Sequence, residues 1–275
     1  MLADPPGRYD PRPMSDFPKV VDAAWLAQHL GEPDLQIADV RGPNAHGRGH
    51  IPGSIPLVLG SPPPYTDEEE LFELAGEIAL RLRRQGISGE NRLVLYDDGG
   101  CVGATAAQTM AELAGHPRVA VLLEGIGAFQ GELASGTVYP PKVKEELTPN
   151  IRAIATRAEL ASRLADDSLT LIDVRRSEEF TGKAGAPCDP RQGHIPKARH
   201  LEVDRLFDGP GRPVSPELIV KLTGLPPDAE IVCYCHSGAR SALAVLALRA
   251  AGYNVRNYTG SWHEWSRHSD LPLER

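Results

Sequence analysis

The chain has 275 residues, 41% of them hydrophobic and 24% charged, with a formal net charge of -8. That length is generous for one domain and comfortable for two, each able to bury its own core. No apolar run is long enough to cross a bilayer, and an acidic chain without a clustered Lys/Arg face argues against nucleic acid or an acidic membrane surface as the main partner.

Residues 1–18, "MLADPPGRYDPRPMSDFP", carry proline and charge but no apolar h-region, so they predict a loosely docked leader and not a signal peptide. Asp22 then reads as the N-cap of an amphipathic helix, followed by a short apolar strand ending on Asp39-Val40-Arg41. "GHIP" follows at Gly49 to Pro52. A longer helix is predicted from Thr66, with Glu69 closing a capping box and Gly86 ending it. Its acidic run, Asp67 to Glu70, reads as a solvated first turn favoured by the helix dipole and not as a metal site. A buried strand, Leu93 to Asp97, a Gly-containing loop, an Ala-rich helix and a last strand ending at Glu124-Gly125 complete the series.

The same series then recurs. "DAAWLAQHLGEPDLQIADVR" from Asp22 aligns without a gap on "TRAELASRLADDSLTLIDVR" from Thr156, matching Leu26 with Leu160, Leu30 with Leu164 and Asp39-Val40-Arg41 with Asp173-Val174-Arg175. Thr156 and Glu159 form the expected capping box. The second copy reaches its own "GHIP" (Gly193 to Pro196) through an insertion containing "FTGKAGAPCDPRQ". A shorter helix capped by Ser215 with Pro216 at its first position leads to the strand Ile231 to Cys235, and the last strand ends at Thr259-Gly260. Strands alternating with helices predict an α/β fold with mostly parallel sheets flanked by helices. The Pro- and charge-rich stretch 134–150 reads as a linker, which divides the chain into domains 19–133 and 151–275.

Four cysteines, Cys101, Cys188, Cys233 and Cys235, are too few and too irregular for a disulfide framework, and no second pair joins Cys233 and Cys235 as a zinc site needs. Reduced thiols in the cytoplasm, with neither metal nor cofactor, are expected. Cys235 stands where ligands bind in parallel sheets, at the carboxyl end of a strand and ahead of a helix expected to begin near Arg240 and Ser241. Negative charge on its sulfur would meet the loop N–H groups of His236, Ser237, Gly238 and Ala239 and the positive end of the helix dipole. Small residues at 237–239 let the loop curl round one atom, and Arg240 can reach back to anchor the loop or a bound anion. With four residues between Cys235 and Arg240, the loop is one residue tighter than the loops of Cys-dependent phosphatases. It suits a persulfide sulfur and surrounds a tetrahedral phosphate poorly.

Taken together, "DVR" twice, "GHIP" twice, "CHSGARS" and "GSWHEWSRHSDLPLE" make the chain resemble the tandem-domain rhodaneses, the sulfurtransferase family, from about Lys19 to Arg275. The resemblance implies two rhodanese-like domains, with the active loop in the second and Cys235 as the catalytic residue carrying a persulfide between two half-reactions. It implies a small anionic sulfur donor, thiosulfate before 3-mercaptopyruvate, and a thiophilic acceptor such as cyanide, a small thiol or a protein cysteine. His236, Ser237, Gly238, Ala239, Arg240 and Ser241 are then the substrate-binding loop. Thiosulfate-specific relatives carry basic residues just after the cysteine and mercaptopyruvate-specific ones small neutral residues; His236 and Ser237 fall between. Where both tandem types place a donor-binding arginine, this chain has Glu179, expected to repel such a donor; Arg175, Arg176, Lys183 or Arg191 is the expected substitute.

The first copy has Asp97 in place of the nucleophile, read as a strand-end carboxylate satisfied by backbone donors. Because His50 and His194, like the Asp39–Arg41 and Asp173–Arg175 pairs, recur in both copies, they are read as architecture. Trp262, Trp265 and Cys233 are read as core. His236, beside the nucleophile, can add positive charge near neutrality. A persulfide carrier or regulatory binding module without turnover is the alternative to an enzyme, and a phosphatase or arsenate reductase is disfavoured by the loop length.

Overall fold

Each copy of the repeat builds its own parallel sheet. The computed structural model describes residues 17–59 and 68–275; the leader up to residue 16 and the expected Thr66 cap lie outside the described residues. The first unit runs β1 (Val20–Val21), α1 (Ala23–His29), β2 (Leu35–Asp39), α2 (Pro43–Arg48), β3 (Ile55–Pro56), α3 (Glu68–Arg84), β4 (Arg92–Tyr96), α4 (Val102–Leu113) and β5 (Val119–Leu122). Its sheet has the order β1-β5-β4-β2-β3, every pairing parallel. The second unit runs α5 (Arg157–Ser162), β6 (Leu169–Asp173), α6 (Ser177–Phe180), β7 (Arg199–His200), β8 (Phe207–Gly209), β9 (Arg212–Pro213), α7 (Pro216–Thr223), β10 (Glu230–Tyr234), α8 (Ala239–Ala250), β11 (Asn254–Asn257) and α9 (Ser261–Trp265). Its parallel sheet has the order β11-β10-β6-β7, extended at one edge by a parallel bridge from Ile154 to Asn257.

The repeat extends to register. Asp39 pairs with Tyr96 across β2 and β4, and Asp173 with Tyr234 across β6 and β10. Both loops containing "GHIP" are pinned by an antiparallel bridge, His50 to Ala134 and His194 to Glu274. The helical spacing of apolar residues puts Leu26 of α1 and Leu160 of α5 fully inside, each worth about 1.5–3 kcal/mol of burial. The caps form as expected at Asp22 and Ser215. At Thr156 the side chain caps the Glu159 N–H at 3.1 Å, but the Glu159 carboxylate turns to Arg163 and Arg256 instead of closing a box. Two cations outcompete one amide for it.

Residues 135–150 form no helix or strand, yet they lie along the first unit. Asn150 N–H donates to Leu113 O at 2.8 Å, and Glu146 pairs with Arg83 at 2.6 Å. The two units are packed together through α4 and α8, where Leu246 of α8 joins the first unit's core. Buried Glu112 of α4 bridges Lys19 of its own unit (2.7 Å) and Arg249 of the other (3.1 Å). The antiparallel hairpin β8–β9 reaches across from the second unit, and its Gly211 O accepts from Glu124 N–H at 3.3 Å.

Candidate active site

Cys235 is the first residue past β10, and the loop His236–Gly238 separates it from α8. The helix therefore starts at Ala239, one to two residues earlier than expected, and Arg240 sits in its first turn. Gly238 caps α8 with φ +87° in the left-handed region; a Cβ there would stand 2.9 Å from Thr259 O, so both conformation and space require glycine. The loop is braced from behind: Asn257 Nδ2 donates to Gly238 O (3.0 Å), Trp262 N–H to Cys235 O (3.0 Å) and His263 N–H to His236 O (2.9 Å). Ser261, itself at φ +54°, accepts from Cys235 N–H at 3.2 Å and donates to Tyr258 O.

Cys235 is 1% exposed, and the buried Ser241 hydroxyl lies 3.4 Å from its sulfur, its one proton shared between that sulfur and Gly238 O at 3.1 Å. Ser237 and Ala239 are exposed, and His236 is half-buried. Arg240 lies near Cys235, but its guanidinium is engaged elsewhere: Nη1 and Nη2 donate to the two oxygens of Glu179 at 2.7 and 2.8 Å. The Glu179 hydrogen bonds push Arg240 further up, against burial, while burial of Glu179 is outweighed by Arg240, which holds its carboxyl below the usual range. Glu179 and Arg240 share a cavity of about 200 Å³ with Val174, Arg176, Glu202 and Asp204. Cys235 is not among the residues lining it.

Three expectations need correction. Glu179 is not an isolated negative charge: it neutralises the active-loop arginine, because α6 carries it to the mouth of the same cavity. Arg175 cannot take up a donor, being 1% exposed and committed to Asp173 (2.6 Å), to Gly193 O (2.7 Å) and to the faces of Tyr234 and Trp262. Arg191 is likewise committed, to the carbonyls of Trp265, Ser266, His268 and Leu271. Of the expected substitutes Arg176 alone reaches the cavity wall. His236 Nε2 meets the Asp189 carboxylate of the insertion, 3.3 Å from Oδ1.

The first unit repeats the scaffold with a different centre. Arg41 holds Asp39 and Gly49 O as Arg175 holds Asp173 and Gly193 O. Asp97 takes the place of Cys235, and its carboxylate accepts four backbone N–H groups: Gly99 (2.9 Å), Cys101 (3.1 Å), Gly103 (3.0 Å) and Ala104 (3.2 Å). A fixed anion thus fills the first unit's cradle. Trp262, Trp265 and Cys233 are fully buried, and His50 and His194 donate through Nδ1–H to the carbonyls of His46 and Phe180. Sequence reading missed Ser261 and Asn257, whose only signal was their place just after the last strand, and missed Asp189 altogether.

Comparison with known proteins decides the family. Residues 22–132 and 156–268 each match the family model of the rhodanese-like domain. The chain belongs to the rhodanese family. The thiosulfate sulfurtransferase of Azotobacter vinelandii is 31% identical, over 95% of this chain and 100% of its own. The 3-mercaptopyruvate sulfurtransferase of Escherichia coli strain K12 is 28% identical, over 92% and 97%. A crystal structure of a probable thiosulfate sulfurtransferase superposes with a TM-score of 0.70 at 33% identity, covering 88% of this chain and 98% of that one. This rhodanese is accordingly a sulfurtransferase, with two rhodanese-like domains in tandem.

Proposed function

We propose that the protein moves a sulfane sulfur from thiosulfate, or from a related donor such as 3-mercaptopyruvate, to a thiophilic acceptor through a persulfide on Cys235. The Cys235 thiolate attacks the outer sulfur of thiosulfate; the S–S bond to the sulfonate breaks and its electron pair leaves with sulfite. An acceptor such as cyanide or a thiolate then attacks the outer sulfur of the persulfide and returns the thiolate. The observation that carries this reading is the set round the sulfur: the start of α8, the Ser241 hydroxyl at 3.4 Å and the nearby Arg240 charge all favour an anion there. His236 to Ser241 form the binding loop, with Arg240 and Arg176 as the cationic groups facing the cavity. Domains 19–133 and 151–275, joined by 134–150, divide the labour, the second performing the chemistry. The four free cysteines suit a reducing cytoplasm.

Incubation with donor in the absence of acceptor is expected to add one sulfur atom to Cys235, read by intact mass and peptide mapping, and Cys235→Ser to abolish it with the fold retained. An added sulfur on Cys101, Cys188 or Cys233 instead would overturn the assignment. Because Cys235 is 1% exposed and Glu179 occupies Arg240, a carrier that is loaded by a partner protein is the second reading. Negligible turnover with both thiosulfate and 3-mercaptopyruvate on one preparation would select it.

A further inference from the structure

Against the outer side of the active loop, and including its His236, four side chains from three separate segments converge. Cys188 and Asp189 come from the insertion, His236 from the loop after Cys235 and His263 from α9. Their donor atoms all lie within 4.8 Å of one another. Cys188 Sγ stands 3.8 Å from His236 Nε2, 3.8 Å from His263 Nδ1 and 3.8 Å from Asp189 Oδ1. The same Oδ1 is 3.3 Å from His236 Nε2 and 2.9 Å from His263 Nδ1.

We propose that these four residues form a tetrahedral site for a divalent zinc-type ion, Cys188 Sγ, Asp189 Oδ1, His236 Nε2 and His263 Nδ1 being the ligands. A tetrahedron with Zn–S of about 2.3 Å and Zn–N and Zn–O of about 2.0–2.1 Å has edges of roughly 3.6 Å for S···N, 3.5 Å for S···O and 3.3 Å for N···O. The five distances above match these edges to within a few tenths of an ångström, and the sixth, between His236 Nε2 and His263 Nδ1, lies within 4.8 Å, so that the two imidazoles close on the ion by a small side-chain rotation. One thiolate, one carboxylate and two neutral imidazoles balance the double positive charge, and this soft-to-borderline donor set selects zinc over magnesium or calcium. Coordination displaces the Cys188 thiol proton to solvent.

The surroundings fit a site that holds an ion and not one that turns it over. Four protein ligands leave no open position for water or substrate. Asp189 has a side chain 1% exposed, with two imidazoles, a thiol and the Arg267 guanidinium as its neighbours. The Arg267 guanidinium, 3.7 Å from Asp189 Oδ1, donates to Cys188 O (3.0 Å) and His263 O (2.6 Å) and so ties two ligand-bearing segments together; at 42% exposure its charge is well screened. The bound ion would staple the insertion and α9 to His236, the residue next to Cys235.

The test titrates the full-length, reduced protein with Co(II) and then Zn(II). One Co(II) per chain with tetrahedral d–d bands and a thiolate-to-cobalt charge-transfer band is expected, bleached by one equivalent of Zn(II). Chelator competition should show zinc affinity falling by at least about 10–100-fold in Cys188→Ala and in His263→Ala, the loss that even outer-shell changes cause. Cys188 is exposed, so its variant should fold; zinc should raise the Tm of the unaltered protein and leave that of Cys188→Ala unmoved. Cys235→Ser should bind zinc as the unaltered protein does. Absence of the cobalt–thiolate band, or zinc binding that survives Cys188→Ala and disappears in Cys235→Ser, would show that the cluster is a hydrogen-bonded Asp–His network and nothing more.

Discussion

The Arg240 guanidinium grips the Glu179 carboxylate at two points, 2.7 and 2.8 Å, so the one cation in the first turn of α8 is already matched before any donor arrives. On the proposed function, an anionic donor competes with Glu179 for it. The pair is 34% and 18% exposed, which places its strength near the low end of the about 1–4 kcal/mol expected of charges about 4 Å apart. Glu179→Gln keeps the shape and removes the competing charge. It is expected to lower the KM for thiosulfate several-fold to about tenfold, measured by initial rates; an unchanged KM would mean that Arg240 does not bind the donor.

Much of this was legible in the chain, because a repeat reports its own architecture. The match of Asp39-Val40-Arg41 with Asp173-Val174-Arg175 carried strand ends, register and the buried Asp–Arg pairs together. The place of Cys235 between β10 and α8 was legible because strand, loop, arginine and helix coincide within a few residues. The Glu179–Arg240 pair joins positions 61 apart, and Asp189 meets His263 across 74, distances over which neither spacing nor composition reports contact. Counted from the strand end without a gap, Asp97 falls on Cys235 and Cys101 on Ala239; the first unit's loop is one residue longer, so Cys101 instead takes the N-cap place that Gly238 holds.

His116 makes stability depend on pH. Burial pushes its imidazole down to about 4, and the hydrogen bond of Nε2 to Ser88 O (3.0 Å) does not restore it. With Nδ1 accepting from Arg118 N–H at 3.3 Å, the neutral ring is the fitted form. The unfolded state binds the proton near 6.5, so this contribution is complete above that pH and is lost as pH falls towards 4, by about 1.4 kcal/mol per unit. Melting temperatures across that window should fall less steeply in His116→Gln than in the unaltered protein. Parallel curves would place the acid sensitivity elsewhere.

Gly211 is where the second unit's hairpin touches the first unit's loop. With φ +61° and an added Cβ only 2.1 Å from Gly99 O and 2.9 Å from Cys101 Sγ, any side chain forces the hairpin off. Gly211→Ala is expected to cost about 1–3 kcal/mol, at about 2–4 °C of Tm per kcal/mol for a chain of this size. Gly136→Ala is the control, since Gly136 also has positive φ (+100°) but nothing within 4 Å of an added Cβ. Equal losses in the two variants would reduce the effect to backbone strain and leave the docking contact without weight.

Cys101 invites comparison with Cys235 and does not sustain it. It is the N-cap of α4 with φ +59°, the place that Gly238, and not Ala239, holds before α8. Its sulfur is fully buried, pointing to Leu122 O and Gly211 O at 3.7 and 3.8 Å. Burial pushes the thiol up to about 12, with the Asp97 charge adding to it, so the helix N-terminus does not make it the reactive thiol that its position suggests. Nor is the cradle free, because the Asp97 carboxylate already accepts four of its N–H groups. In the folded, zinc-free protein, alkylation should therefore mark Cys188 and spare Cys101. Cys101→Ala should keep near-normal sulfur transfer while Cys235→Ala keeps essentially none, both read as kcat/KM with thiosulfate. A folded Cys101 variant that lost most of its activity would make the first domain a chemical participant.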